Sequence, residues 1–251
     1  MSCDKNKDIL NHLLLSFKIY YKNNFLQHFI GINSSLNQKK EDYTELITPK
    51  SNWREESIYQ ITEIKNKFPN LTHLIVILDD FILNNYVDNI KLNSIINDPS
   101  FDRIKYLRLK KIEEPILRRI LIFFRKKSML GSSKIINIRK THPYFYSLQV
   151  AIWDINYLLH AIQNSKDIWH FENQKSGNVD HFSVQNNIFH YKHIVEKGKW
   201  QYYASKYCNN YIGYFNPEFR PMLKNNLKNN YIDFFKKIKF YFFGYIKIKK
   251  Y

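Results

Sequence analysis

Cysteine is scarce in this sequence, with only Cys3 and Cys208 among 251 residues. Two thiols without metal-ligand spacing exclude a disulfide scaffold, and they are typical of a protein from a reducing cytoplasm. Long apolar runs are missing as well: none reaches the roughly 18 residues of a membrane span, and the N-terminus lacks the apolar core of a signal peptide. The sequence therefore predicts a cytoplasmic protein that does not cross a membrane.

Glycine and proline are also few, at six and seven residues. Together with a hydrophobic fraction of 44%, this excludes a disordered or repetitive chain and predicts one large domain with a substantial core. Acidic residues are outnumbered by basic ones, 22 against 39, which gives a formal net charge of +17. Such a charge predicts an anionic partner, which is nucleic acid, an acidic membrane surface or a phosphorylated substrate, and it does not decide among them.

Several common catalytic motifs are absent. The chain has no P-loop, no glycine-rich dinucleotide fingerprint and no serine nucleophile elbow. The Asp-x-Asp followed by Thr that is typical of phosphoryl-aspartate enzymes is missing too. These absences narrow the range of reactions that the chain can be expected to catalyse.

Apolar periodicity predicts helices that alternate with strands, the order expected of a mostly parallel sheet flanked by helices. In the first part of the chain we predict helices over residues 5–21 and 53–68, strands over residues 29–33 and 74–78, and a loop over residues 34–50. Further along we predict helices over residues 87–96, 110–133 and 155–162, strands over residues 104–109, 134–139 and 188–195, and a turn over residues 196–200. The predicted fold class is therefore α/β, with a mostly parallel mixed sheet.

The strand at residues 74–78 organises this prediction, because five successive aliphatic residues are followed by Asp79 and Asp80. A run so apolar fits a central strand that is covered on both faces. Two carboxylates at the carboxyl end of such a strand lie where open α/β sheets bind ligands, and a divalent cation between them would offset their repulsion. The alternative is a solvated Asp pair that caps the next segment.

Four short segments, taken in order, resemble GT-A type glycosyltransferases, in particular sugar transferases of bacterial surface-polysaccharide biosynthesis. They are residues 74–81 (Leu-Ile-Val-Ile-Leu-Asp-Asp-Phe), 146–153 (Tyr-Ser-Leu-Gln-Val-Ala-Ile-Trp), 168–172 (Ile-Trp-His-Phe-Glu) and 197–200 (Lys-Gly-Lys-Trp). The resemblance spans roughly residues 2–205. It rests on the order of the segments rather than on any one of them.

The resemblance implies a single GT-A-like domain over residues 1–226 that acts as a hexosyltransferase-like enzyme. The implied donor is a nucleotide-diphosphate sugar, the acceptor is a lipopolysaccharide, capsule or other surface glycan or glycolipid, and no nucleic-acid partner is expected. This chain departs from the family because it begins Met-Ser-Cys-Asp, without the apolar strand that normally opens the fold. A scaffold that has kept the shape and lost the chemistry is therefore an alternative.

The resemblance also implies a metal site and a general base. Asp79 and Asp80 would bridge Mn²⁺ or Mg²⁺ to the donor diphosphate, with His193 as a further ligand and the metal as a Lewis acid on the leaving group. The Leu-Asp-Asp form departs from the family's Asp-x-Asp, so which carboxylate contacts the metal is open. Glu172 would be the base that removes the proton of the acceptor hydroxyl, and a Glu that merely caps a helix is the alternative.

Further substrate contacts follow from the same resemblance. Gln149 would hydrogen-bond sugar hydroxyls and Trp153 would offer them an apolar face, although Trp153 at the entry of an apolar helix is equally explained as a core residue. Lys197 and Lys199 would supply positive charge to the diphosphate, since Gly198 between them lets the backbone approach an anion closely.

The C-terminal tail, residues 227–251, differs from the rest of the chain, with seven Lys against one Asp and aromatic residues on one helical face. This pattern predicts a basic amphipathic helix that lies on an anionic membrane surface. The protein would then be peripheral on the inner face of the membrane. The alternative is a terminal helix docked on the domain.

A nucleic-acid-binding protein or a metal-dependent nuclease is the principal rival interpretation. The net charge of +17 and the aromatic residues interleaved with basic ones favour it. A nuclease would need a further acidic ligand and a Lys on a neighbouring strand, and the sequence identifies no such set.

Overall fold

The computed structural model describes residues 7–22, 26–36, 43–49, 51–112, 127–140, 142, 145–174, 179–196, 198–208 and 220–223. The predicted tail helix over residues 227–251 and the predicted diphosphate contact Lys197 lie outside these ranges, as does most of the helix predicted over residues 110–133.

The described α-helices confirm the pattern predicted from periodicity. They are α1 (Lys7–Tyr20), α2 (Trp53–Lys67), α3 (Asn89–Ile96), α4 (Ile155–Gln163), α5 (Ile168–Glu172) and α6 (Ala204–Cys208). The first four match predicted helices to within two residues at each end. Polar side chains fix where helices begin: Asn52 accepts a hydrogen bond from the Glu55 amide at 3.0 Å before α2.

The described strands are short and numerous. They are β1 (Phe29–Ile32), β2 (Thr44–Ile47), β3 (His73–Val76), β4 (Phe81–Leu83), β5 (Tyr106–Arg108), β6 (Lys127–Leu130), β7 (Ser133–Ile138), β8 (Ala151–Asp154), β9 (His181–Val184), β10 (Tyr191–His193), β11 (Val195–Glu196) and β12 (Lys199–Trp200). Six of them form one sheet in the order β3-β8-β5-β9-β7-β6, and the others pair as β1-β2, β4-β10 and β11-β12.

The α/β class is confirmed, but the prediction of a mostly parallel sheet is wrong. Within the six-stranded sheet only the pair β5-β9 is parallel, and the other four pairs are antiparallel. The cause is the position of β8, which lies between β3 and β5 and runs antiparallel to both. β3 and β5 do run in the same direction, as alternating helices and strands predict, yet they are not neighbours.

The strand that precedes the Asp pair is also not central. β3 ends at Val76 and is an edge strand of the described six-stranded sheet. Its apolar composition has a different explanation: Leu74 packs against the cluster that contains Trp153, and Ile75 packs against the cluster that contains Leu107. Both faces of β3 are therefore covered, as predicted, although only one of its edges is paired in the described part of the sheet.

Several elements were not predicted. β2 lies inside the predicted loop over residues 34–50, and β6 occupies the end of the helix predicted over residues 110–133. β4, β8 and β9 are strands of three or four residues that periodicity did not reveal. Among the described helices, none has the length and apolar character needed to cross a bilayer.

A buried hydrogen-bond chain runs through the core beside the sheet. The fully buried His181 donates from Nδ1 to the Phe145 carbonyl at 3.0 Å, and its Nε2 accepts from the Tyr157 hydroxyl at 2.8 Å. Tyr146 in turn donates to the Tyr157 oxygen at 2.7 Å. This arrangement needs a neutral imidazole, and burial lowers the pKa of His181 to about 4, while the hydrogen bond to Phe145 opposes the shift.

The depressed pKa of His181 predicts a loss of stability in acid. Because the unfolded chain binds the proton near pH 6.5 and the folded chain only near pH 4, the free energy of unfolding falls as pH decreases between these values, by about 3 kcal/mol in all. His181→Gln keeps a donor and an acceptor but does not titrate. Urea unfolding at pH 7 and pH 4.5 should show a smaller decrease for the variant, and an equal decrease in both proteins would contradict this assignment.

The turn between β6 and β7 depends on Gly131, which has a φ of 55° and donates its amide hydrogen to Asp98 at 2.6 Å. A Cβ at this position would overlap the carbonyl oxygen of Ser94. We expect Gly131→Ala to lower the free energy of unfolding by about 3 kcal/mol, from left-handed backbone strain and overpacking together. Gly198 is the matched control in urea unfolding, because its φ is 73° but an added Cβ meets open space, so Gly198→Ala should cost only about 1 kcal/mol. Equal losses would contradict the role of the Ser94 contact.

Candidate functional site

The strand pairings bring the ends of several elements to one edge of the sheet. Val76 at the end of β3 pairs with Ala151 at the start of β8, and Ala151 also pairs with Arg108 at the end of β5. Arg108 pairs on its other side with Ser183 near the end of β9. The carboxyl ends of β3, β5 and β9 therefore lie together, beside the amino ends of β8 and β7.

Asp79 and Asp80 form the turn that leaves this edge. Asp79 is buried, with 7% of its surface exposed, and Asp80 is half-buried. The carbonyl of Asp80 accepts a hydrogen bond from the Ile194 amide at 3.0 Å, and β4, directly after the turn, pairs antiparallel with β10. The two-stranded β4-β10 ribbon thus fixes the turn against a segment more than one hundred residues away in sequence.

Asp80 and His193 form the central contact of the site. The His193 Nε2 donates to Asp80 Oδ2 at 2.6 Å, an approach made possible because His193 lies directly across the ribbon from Phe81. Burial would lower the pKa of His193, but the hydrogen bond and charge of Asp80 outweigh that effect, so the pKa is raised above its ordinary value. When His193 is protonated, its contact with Asp80 is a charge-assisted hydrogen bond.

Glu172 ends α5 and reaches the same region. Its Oε1 accepts a hydrogen bond from the Leu148 amide at 3.3 Å, and its side chain is half-buried. Burial raises the pKa of Glu172; the Leu148 amide, the Arg108 charge and His193 lower it, and the Asp80 charge raises it further. These interactions place Glu172 within charge-interaction range of the Asp80–His193 pair. A carboxyl group with a raised pKa is suited to proton transfer near neutral pH.

Arg108 supplies a buried positive charge that sequence analysis missed. Only 4% of its surface is exposed, and its Nε donates to the Tyr106 hydroxyl at 3.2 Å. Its charge acts on the carboxyl of Glu172 and on the phenol of Tyr191. The available signal was an Arg between two Leu residues at the end of a predicted strand.

Gln149 and Tyr191 close one side of the site. The Tyr191 hydroxyl donates to Gln149 Oε1 at 3.2 Å, and Tyr191 shares β10 with His193. The ammonium of Lys110 lies 4.4 Å from the centre of the Tyr191 ring, within the range of a cation–π interaction. Neither Tyr191 nor Lys110 was singled out from the sequence.

Two predicted substrate contacts do not join this group. Trp153 is fully buried, with its ring centre 4.4 Å from that of Tyr106 and 5.7 Å from that of Phe171. Trp153 is therefore a core residue, which is the alternative explanation that the sequence analysis gave for it. Lys199 is exposed on β12, opposite Glu196 in the small β11-β12 hairpin.

Asp80 offers one enclosed carboxylate oxygen to a divalent cation that would complete its shell with substrate oxygens. Asp80 Oδ1 is enclosed, and no donor among the described residues reaches it. Hard cations such as Mg²⁺ take one or two carboxylates and complete their shell with phosphate and water oxygens. Within the described ranges no three His, Cys, Asp or Glu side chains form an all-protein metal cage. The His193 Nε2 faces Asp80, so His193 in this arrangement orients a carboxylate ligand.

The fold and the site together define a mixed α/β protein with a charged cluster at the carboxyl ends of three sheet strands. Comparison with known proteins adds no family to this description, since the chain matches none of the family models and none of the curated proteins.

Proposed function

We propose that the protein is a metal-assisted glycosyltransferase that moves a sugar from a nucleotide-diphosphate donor to a glycan acceptor, with a GT-A-like fold. The observation that carries the proposal is the convergence of Asp80, His193 and Glu172 at one sheet edge. Asp80 and Glu172 lie in two of the segments that resemble glycosyltransferase motifs, and His193 lies in β10, outside those segments.

In the proposed reaction the acceptor hydroxyl oxygen attacks the anomeric carbon, and the bond between that carbon and the diphosphate oxygen breaks. The proton of the hydroxyl passes to Glu172, and the electron pair of the broken bond leaves with the nucleoside diphosphate. Burial raises the pKa of Glu172, which makes its carboxylate a stronger base than an exposed one. A single displacement of this kind inverts the configuration at the anomeric carbon.

Asp79 and Asp80 would hold Mn²⁺ or Mg²⁺, which as a Lewis acid stabilises negative charge on the leaving diphosphate. His193 orients Asp80 through the 2.6 Å hydrogen bond. Gln149, held by Tyr191, offers its remaining amide hydrogens to sugar hydroxyls.

The acceptor class and the location are parts of the same proposal. A surface glycan or glycolipid on the inner face of the membrane would suit the basic, aromatic sequence of residues 227–251. Deletion of these residues should abolish binding to vesicles of phosphatidylglycerol while leaving donor turnover intact. Undiminished vesicle binding would remove membrane association from the proposal.

The decisive experiment measures release of nucleoside diphosphate from a panel of nucleotide sugars, with Mn²⁺, with Mg²⁺ and with a chelator. We expect metal-dependent turnover of at least one donor. The matched experiment for the rival function is salt-dependent binding of single- and double-stranded DNA and RNA, which a net charge of +17 favours. Tight nucleic-acid binding without turnover of any donor would overturn the glycosyltransferase proposal.

A further inference from the structure

Trp169 differs from the other tryptophans of the chain. It is 69% exposed, whereas Trp153 and Trp200 are fully buried and Trp53 is partly buried. Scattered exposed apolar residues are normal on protein surfaces, but Trp carries the largest apolar face of any side chain together with one N–H donor. Leaving that face in water forgoes the stabilisation that its burial would provide.

The position of Trp169 ties it to the proposed base. Trp169 and Glu172 lie three residues apart on α5, so their Cβ atoms are neighbours at about 5–6 Å on the helix surface. The helix itself is well anchored: Phe171 is fully buried, and the Asp167 side chain accepts from the His170 amide at 2.7 Å. A single short helix therefore directs Glu172 towards the charged cluster and leaves Trp169 open beside it.

The surroundings of Trp169 favour a sugar over a lipid surface or an apolar protein partner. Its exposed neighbours in sequence are polar or charged, namely Lys166, Asp167, His170 and Asn173. An apolar docking surface needs several adjoining apolar side chains, whereas a sugar ring presents a face of C–H groups rimmed by hydroxyls. One aromatic face within a rim of hydrogen-bonding groups matches the second pattern.

We propose that Trp169 is the platform on which the acceptor sugar stacks, so that its attacking hydroxyl reaches Glu172. This inference rests on the proposed glycosyltransferase function and adds a specificity-determining residue to it. Trp169 takes no part in the proton transfer, and it does not contact the donor. Its removal should therefore weaken acceptor binding and spare transfer of the donor sugar to water.

The test compares Trp169→Ala and Trp169→Phe with wild type, using decyl glycosides of glucose, galactose and N-acetylglucosamine as acceptor probes. We expect the acceptor KM to rise roughly fivefold to tenfold in Trp169→Ala and less in Trp169→Phe. The donor KM and the rate of donor hydrolysis should not change. Tyr59→Ala, which removes a partly exposed ring from α2, is the matched control and should leave all of these constants unchanged.

A second readout does not require turnover. An exposed Trp is open to quenching by acrylamide, so a bound glycoside should protect part of the wild-type fluorescence and none of it in Trp169→Phe. Two results would overturn the role of Trp169 and leave the proposed reaction standing. They are an unchanged acceptor KM in an active Trp169→Ala variant, and no protection of wild-type fluorescence by any glycoside. Protection without turnover of any nucleotide sugar would support the platform and overturn the proposed reaction.

Discussion

Glu172→Gln should lower kcat for sugar transfer by about 10²- to 10⁴-fold, because an amide cannot take the proton of the acceptor hydroxyl. The substitution keeps the shape of the side chain and an oxygen that can accept from the Leu148 amide, so α5 should stay in place. The donor KM should change little, since the proposed base does not contact the diphosphate. Assays with saturating donor and acceptor measure kcat, and a thermal melt tests whether the variant keeps its fold.

The pH dependence of the wild-type protein's proposed activity provides an independent test of the same role. Because burial raises the pKa of Glu172, kcat/KM should fall as pH decreases through a value above the ordinary Glu pKa of 4.5. Glu172→Gln should lack this acidic limb. Glu63→Gln on α2 is the matched control and should retain both the wild-type kcat and the decrease of kcat/KM at acidic pH. A Glu172→Gln variant with wild-type kcat would show that another group accepts the proton.

Asp80→Asn is expected to lower kcat/KM for the donor by about 10²- to 10³-fold and to raise the Mn²⁺ concentration needed for half-maximal activity. The amide occupies nearly the same volume, so loss of charge rather than loss of packing should dominate. Turnover measured across a Mn²⁺ titration separates the effect on the metal from the effect on the chemistry.

The same variant should change the titration of His193. Burial lowers the pKa of His193 and Asp80 raises it, so removal of the carboxylate charge should lower this pKa. A shift of the His193 ring signal to a lower midpoint in an NMR pH titration would verify the contact without any assay of activity. Asp102→Asn, at an exposed position in the 3-10 turn Phe101–Arg103, should change neither the activity nor the His193 midpoint. An Asp80→Asn variant with full Mn²⁺-dependent activity would exclude Asp80 as a ligand.

Elements with strong local signals could be predicted from the sequence. α2 carries a capping Asn52, acidic residues in its first turn and Lys65 and Lys67 in its last, a combination that defines both ends. β8 is an element without such local signals. Its four residues are all buried and lead directly into α4. A short apolar run of this kind cannot be told from the first turn of a helix by periodicity.

Strand direction depended on information that is not local. The order β3-β8-β5 places a strand from residues 151–154 between two earlier ones, and no pattern within any of the three segments specifies that insertion. The position of Asp79 and Asp80 after the carboxyl end of β3 could nevertheless be predicted, because it does not depend on which strand is the neighbour of β3. The end of the apolar run marks where polar residues follow the strand, while strand pairing is decided by tertiary packing.

The residues of the candidate site also divide into those that the sequence identified and one that it did not. Asp80, Glu172 and Gln149 were selected through short motifs and His193 as a possible further ligand, and contacts and charge interactions link the four side chains. Arg108 was missed because basic residues are abundant in this chain, so a single Arg in a strand carries little information. Only the burial of its side chain beside Tyr106 distinguishes it from the solvated basic residues.

The β4-β10 ribbon has a consequence for synthesis of the protein. The imidazole that holds Asp80 belongs to a segment translated 113 residues after the aspartates. A nascent chain folds its early helices on the ribosome long before that partner emerges. Premature termination between residues 81 and 192 therefore yields a polypeptide with the acidic turn but without the histidine that orients it.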